Sequence, residues 1–290
     1  MSSKIYFKQG QGQKYQRKVI NWVTRLHHRL APSHARKVAR NLFLTPDRFD
    51  RGVVEPEGLV KASIETAEGK LMTYRLGRGP VWLLCHGWSG ASSQFFTLMA
   101  HIAKLGYTAL AFDNIAHGES AGSHAHLPGF IAALNCVLDQ EPDITGVVAH
   151  SMGSAMVLES RHPQLAGKPI LLVAPVLNYT ENLLISVEKS GYSMRLFDEV
   201  VSEVADEYGY PLADIDPQQQ LKRHRAPVVI VHDRGDRFAS FSLSEEAAAL
   251  PHVTLVATEG LGHGRIMQSE PLMQAFDGLA EQITPLPLVG

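Results

Sequence analysis

The sequence predicts an α/β chain: a doubly wound, mostly parallel eight-stranded sheet with helices on both faces, a small helical cap insertion and a basic helical N-terminal arm. Three observations carry this. Short apolar runs alternate with stretches of helical periodicity from residue 81 onward. Two strand-like segments joined by a tight turn precede them. Charge divides the chain, with twelve Lys/Arg and two Asp in residues 1–51 against fifteen Lys/Arg and twenty-seven Asp/Glu in the rest. The boundaries follow as an arm over 1–57 and a domain over 58–290, with the insertion at about 176–225.

The arm reads as two helices. Tyr15, Val19, Trp22, Val23, Leu26 and Leu30 recur at helical spacing, and Lys18, Arg25, His28 and Arg29 occupy the opposite face. A second helix follows Ser33, with Ala35, Val38, Ala39, Leu42 and Phe43 as its apolar side, and Pro46 closes it. The expectation is that the apolar stripe docks on the acidic body. A basic amphipathic helix also suits a weak contact with a membrane surface or a protein partner. Nucleic acid is not expected, because no recognition motif accompanies the charge and an acidic body repels phosphate.

"LVKASIET" and "KLMTYRLG" form the hairpin, with Glu68-Gly69 near its turn. The buried strands are "VWLLCH", "YTALAFD", "ITGVVAH", "PILLVAP", "APVVIVHD" and "HVTLVATE". Strands covered on both faces read as continuous apolar runs rather than alternating ones. Helices fit 92–104, 127–140, 152–162, 242–250 and 270–283. Fifty residues separate Pro175 from Ala226, too many for a simple crossover. Helical segments fit 180–189 and 195–207 there. An insertion at the carboxyl edge of such a sheet covers the ligand crevice, hence the expected cap.

No stretch approaches the roughly 18 consecutive apolar residues of a membrane span. No apolar signal core opens the chain, so a cytoplasmic location is expected. Cys85 and Cys136 lie in apolar segments without metal-ligand spacing and are read as buried thiols.

"VVAHSMGSAM" places Ser151 where a strand turns into a helix. A serine there is ordinarily a helix cap. The small residues two places to either side, Ala149 and Gly153, suit a tight turn that a nucleophile needs. A hydroxyl also needs a base. "EGLGHGRI" offers His263 between Gly262 and Gly264, after the last strand. The acid should leave a strand between them. "VVIVHDRGDRF" supplies Asp233 and Asp236, and Asp236 is favoured because it lies past the strand end, leaving Asp233 to bond the turn. Two amides suit a developing oxyanion: Met152 at a helix N-terminus and Trp88 in "LLCHGWSG", where Ser89 and Gly90 keep the loop open.

"HGWSG", "DNIAHGES", "AHSMG" and "GLGH" occur in that order. From about residue 58 to 284 the chain resembles the α/β-hydrolase fold superfamily, serine esterases and lipases among them. The usual first glycine of the elbow is replaced here by Ala149, a departure of one methyl. The resemblance implies catalytic Ser151, Asp236 and His263, and a structural turn at Asp113, His117, Gly118 and Ser120. It implies hydrolysis without a cofactor and without a metal, and excludes an aspartate nucleophile because Ser151 holds that place. A small-molecule acyl ester is the expected substrate, cleaved through an acyl-enzyme. Thioester, amide or acyl-transfer chemistry on the same triad, or a binding protein that retains the pocket, are the alternatives. Trp88, Tyr192, Met194 and Phe197 are candidates for the substrate-binding wall, and His150 is expected to pack under the sheet edge. His117, His124 and His126 match no zinc spacing.

Overall fold

The computed structural model describes residues 11–48 and 52–283. Eight strands form one sheet: β1 (Val60–Thr66), β2 (Gly69–Gly77), β3 (Val81–Cys85), β4 (Thr108–Phe112), β5 (Ile144–His150), β6 (Ile170–Val173), β7 (Val228–Asp233) and β8 (Val253–Thr258). Their order is β1-β2-β4-β3-β5-β6-β7-β8. β2 is antiparallel to both neighbours. From β4 to β8 every pairing is parallel.

Alternation along the strands sorts their side chains into two cores. Leu83, Phe112, Val147 and Leu172 join one cluster, with Phe130 and Leu134 of helix α4 (Leu127–Gln140). Trp82, Leu84, Val148 and Leu171 join the other. That side is covered by α3 (Phe96–Lys104) and α11 (Glu270–Ile283). Trp82 meets Phe276 edge-on at 4.8 Å. This two-sided burial explains why the strands read as unbroken apolar runs.

The short helix after β5 is α5 (Met152–Glu159), which ends earlier than the periodicity suggests. Pro163 pushes its neighbour His162 to extended backbone, and Glu159 turns its carboxylate elsewhere. Glu159 accepts bonds from the Tyr210 hydroxyl at 2.7 Å and the Asp216 amide at 2.6 Å. Both partners belong to the insertion between β6 and β7, so Glu159 anchors it.

The insertion contains α6 (Tyr179–Ser190), α7 (Met194–Tyr208) and α8 (Pro217–Arg223). Sequence periodicity anticipates the first two. The third begins with Asp216, which accepts the Gln219 amide, and with Pro217 in its first turn. That Asp-Pro pair was the available signal.

The arm forms α1 (Gln11–Leu30) and α2 (Pro32–Leu44). α2 packs on α7, burying Ala35, Ala39 and Leu44 in one cluster with Leu196, Phe197 and Val200. Arg40 pairs with Glu203 and Glu207 across this contact. Backbone and side-chain bonds stitch the end of the arm to the body: Ala125 donates to the Leu44 carbonyl, the Asp47 amide to Ser89 Oγ, and Arg48 to the Gly118 and Gly122 carbonyls.

α1 corrects the expectation of a buried stripe. Tyr15, Val19, Trp22, Val23, Leu26 and Leu30 all face outward, Tyr15 at 74% exposure and Trp22 at 65%. The face turned inward carries Arg17, Ile20, Asn21, Thr24, His27 and His28 instead. The surface it meets explains this. α7 presents Glu199, which pairs with His28 at 3.1 Å, so a polar face suits it better than an apolar one. Of the two thiols, Cys85 is buried as expected, whereas Cys136 is half-buried; both are free.

Ala39 is fully buried between α2 and α7, and overpacking such a site costs about 1–3 kcal/mol. Ala39→Leu should therefore lower the melting temperature by several degrees. Arg40→Ala should change it little, because exposed ion pairs contribute about 1 kcal/mol or less. Thermal melts of the two variants check the ranking.

Candidate active site

Ser151 joins β5 to α5 with φ 55° and ψ −123°, a backbone region that costs a non-glycine residue about 1–3 kcal/mol. Its surroundings impose it. The Ser151 amide donates to the Val173 carbonyl at 3.0 Å, and its own carbonyl accepts from Ser154 and Val176. A Cβ on Gly153 would stand 2.4 Å from the Cys85 carbonyl oxygen and 2.7 Å from that of His86. The helix can start here only because that position has no side chain.

His263 lies in the four-residue helix α10 (Gly262–Arg265) that follows β8. Its Nε2 is 2.9 Å from Ser151 Oγ, and its Nδ1 donates to Asp236 Oδ2 at 2.7 Å. A proton held on Nδ1 by the carboxylate leaves the Nε2 lone pair facing the serine hydroxyl. Asp236 is wholly buried at its side chain. Burial alone would raise its pKa, but hydrogen bonds from His232 and His263, the charge of His263 and the Phe238 amide outweigh it and hold the carboxyl well below the usual range. Asp236 Oδ1 accepts from the Phe238 and Ala239 amides at 2.7 and 3.1 Å.

Asp233 does not reach His263. It accepts from the Gly235 and Leu261 amides and the Thr258 hydroxyl, so it fastens the loop that bears His263 to the end of β7. Sequence reasoning missed His232. Its Nε2 donates to Asp236 Oδ2 at 3.2 Å, and its Nδ1 accepts from Ser244 Oγ at 2.7 Å. A histidine four residues before the acid was the visible signal, but its partner Ser244 lies on α9 (Phe241–Ala247) and comes close only in the fold.

The loop after β3 runs against the elbow. A Cβ on Gly87 would sit 2.8 Å from the Ser151 Cβ and 3.0 Å from the Met152 nitrogen. This contact sets the Gly87-Trp88 backbone beside the N-terminus of α5. Two buried imidazoles hold the loop. His86 Nδ1 donates to the Gly87 carbonyl while its Nε2 accepts the Asn114 amide. His117 Nδ1 donates to the Ile115 carbonyl while its Nε2 accepts the Ser89 amide. Each ring thus ties the loop after β3 to the loop after β4. Asp113 completes the tie, accepting from the Ser92 and Glu119 amides and the Tyr74 hydroxyl. His124 bonds Asn41, and His126 caps α4 through the Gly129 amide.

His150 is buried at the carboxyl end of β5. Its Nε2 donates to the His263 carbonyl at 3.0 Å, and the two rings lie 4.9 Å apart. It therefore supports the backbone that presents His263.

Ser151, Met152, His263 and Trp88 line a cavity of about 270 Å³. Its remaining wall is largely apolar. Phe197, Val200 and Val204 come from α7, and Phe43 and Leu44 come from α2 of the arm. Tyr192 and Met194 are not part of the wall. Tyr192 packs edge-on against Phe43 at 5.0 Å, and both residues belong to the contact between arm and insertion.

Two outcomes follow from this geometry. Gly153→Ala should destabilise the fold by about 1–3 kcal/mol or more, since backbone carbonyls on two sides cannot both give way; chemical denaturation measures it. The second concerns acid. Burial lowers the pKa of His117 and of His150 to about 3 from 6.5. The unfolded chain takes up these protons near pH 6.5 and the folded chain does not. Their stabilisation is complete above pH 6.5 and is lost as pH falls toward 3, at about 1.4 kcal/mol per pH unit for each ring. A melting temperature that stays level from pH 7 to pH 5 would contradict this.

Residues 82–277 match the alpha/beta hydrolase family. No curated protein matches the chain's sequence. Among solved structures, an esterase from Pyrococcus furiosus is 19% identical with a TM-score of 0.61, covering 83% of this chain and 98% of its own. Est1E from Butyrivibrio proteoclasticus, solved with ferulic acid bound, is 16% identical with a TM-score of 0.57, covering 76% and 97%. A bromoperoxidase from Bacillus anthracis is 14% identical with a TM-score of 0.57, covering 77% and 100%. At these identities the likeness is one of fold, and the names include both an esterase and a bromoperoxidase. The family match spans well over half of the sequence, and the chain belongs to the alpha/beta hydrolase family.

Proposed function

We propose that the chain is a serine hydrolase that cleaves carboxylic esters of apolar acids through an acyl-enzyme. One observation carries this reading: Ser151 Oγ, His263 and Asp236 form a continuous hydrogen-bonded row at 2.9 and 2.7 Å, opening on an apolar cavity. Ser151 Oγ attacks the ester carbonyl as its proton moves to His263 Nε2. Asp236 keeps the ring in the tautomer that can accept it and stabilises the imidazolium. The Met152 and Trp88 amides receive the oxyanion, each such donor contributing about 3 kcal/mol to lowering the barrier. His263 then gives its proton to the departing alkoxide. A water molecule, deprotonated by the same ring, releases the acid and restores Ser151.

The insertion and α2 act together as the cap in this reading. The acyl group lies against Phe43, Phe197 and Val200, and the leaving alcohol exits past Trp88. Thioesters and amides present the same carbonyl to the same row, so they enter the test as competing substrates.

Ser151→Ala and His263→Ala should each lower p-nitrophenyl ester turnover by several orders of magnitude. The double variant should lose little more, because the pair acts as one unit. Asp236→Asn should cost about 10⁴-fold in turnover, by analogy with the Asp of the serine protease triad. Asp233→Asn should chiefly lower stability. A phosphonate probe should label Ser151 alone. Folded Ser151→Ala protein that hydrolyses esters normally, or wild type that resists the probe and cleaves no acyl substrate of the series, would refute the mechanism.

A further inference from the structure

α1 divides into three faces when its residues are placed at 100° intervals. One arc, holding Arg17, Ile20, Thr24 and His28, turns toward the body. The next carries Lys14, Lys18, Arg25 and Arg29 within about 60°, and the third carries the six outward apolar residues within about 100°. On the inner side of the arm, His28 pairs with Glu199 and Arg40 with Glu203 and Glu207. Lys14, Lys18, Arg25 and Arg29 form no ion pair among the described residues. Beside them is a shallow depression lined by Arg17, Lys18, Asn21, Trp22, Arg25 and Gly191. Arg17 Nε is buried there without a hydrogen-bond partner.

A twenty-residue helix about 30 Å long therefore shows the outside an apolar stripe with a cationic border. Two other occupants of this face fit poorly. A second arm would set the cationic border against a cationic border, with no carboxylate to offset it, since no Asp or Glu precedes Asp47. The chain's own acidic body already takes the opposite face. Spanning a bilayer does not apply, because no described helix is long and apolar enough. A helix of this pattern is complementary to an anionic bilayer surface, with its apolar arc in the headgroup boundary and its cations at the phosphates.

We propose that α1 is a membrane-surface anchor for anionic lipid. Tyr15, Trp22 and Leu26 enter the headgroup boundary, Lys14, Lys18, Arg25 and Arg29 meet lipid phosphates, and the depression at Arg17 receives one headgroup. The same arm continues into α2, whose Phe43 and Leu44 line the cavity with Ser151. The anchor thus holds the cavity close to a bilayer. The binding itself does not depend on the reaction proposed above.

The test is flotation of the full chain with vesicles of phosphatidylcholine alone and with phosphatidylglycerol added, using Ser151→Ala protein in parallel. Both proteins should bind the anionic vesicles, weaken as salt rises, and bind neutral vesicles at least tenfold less. Lys18→Gln/Arg25→Gln/Arg29→Gln should weaken binding about 100-fold, at about fivefold per charge. Trp22→Glu should also abolish it. Both variants should melt as wild type does, since the changed side chains are solvent-exposed. Of the three tryptophans, Trp82 is buried and Trp88 half-buried. A blue shift of emission on vesicle binding should therefore come from Trp22 and disappear in Trp22→Phe. Failure of folded wild type to float with anionic vesicles at low salt would overturn the proposal. So would binding that is equal on neutral vesicles, self-association through α1 in light scattering, or stabilisation by inorganic phosphate alone without any affinity for vesicles.

Discussion

The left-handed backbone of Ser151 is the constraint around which the rest is arranged. A serine does not adopt φ 55° without compensation, and the compensation comes from three strands at once. β6 accepts its amide, the carbonyls at the end of β3 crowd Gly153, and β5 delivers the residue itself. These contacts exist only when β3, β5 and β6 lie side by side and parallel, with their carboxyl ends on one edge. The unbroken apolar runs of the strands, buried on both faces, are what hold that order together. The position of the hydroxyl on the cavity wall is thus a consequence of sheet packing rather than of the turn's own preference.

Around the elbow, the buried imidazoles of His86 and His117 and the carboxylate of Asp236 each have defined partners. His86 and His117 are fixed as single tautomers by a carbonyl on one nitrogen and an amide on the other. Burial keeps them neutral, which suits a role as rivets between two loops. Asp236 follows the opposite rule. It is buried as well, yet four donors surround it, so its charge is kept. Low dielectric makes each of these bonds stronger and each missing partner more costly. That is how an anion and several neutral imidazoles coexist within one edge of the sheet.

The arm and the insertion form one structural unit over this edge. α2 and α7 share a core, Glu159 secures the far end of the insertion, and Phe43 and Leu44 become part of the cavity wall. What composition alone divides into a basic arm and an acidic domain is divided differently by packing. Charge opposition draws the inner face of the arm to Glu199, Glu203 and Glu207 and leaves the apolar face outside.

Much of this was open to a reader of the sequence because it depends on local chemistry. Two-sided burial writes itself as continuous apolar runs, and α4 and α11 carry their periodicity over 127–140 and 270–283 as expected. Ser151, Asp236 and His263 stand out because each follows a strand end, where a side chain can reach a common edge. Other features depend on neighbours far apart in sequence. Ser244 completes the hydrogen bonds of His232, the backbone of His263 gives His150 its place, and Phe43 removes Tyr192 from the cavity wall. The stripe on α1 is the clearest division. Periodicity determined that Tyr15, Val19, Trp22 and Leu26 share a face, since 3.6 residues per turn place them there. Which way that face points was decided only by the tertiary structure, because the surface awaiting the helix presents Glu199 and takes the polar face of Asn21, Thr24 and His28.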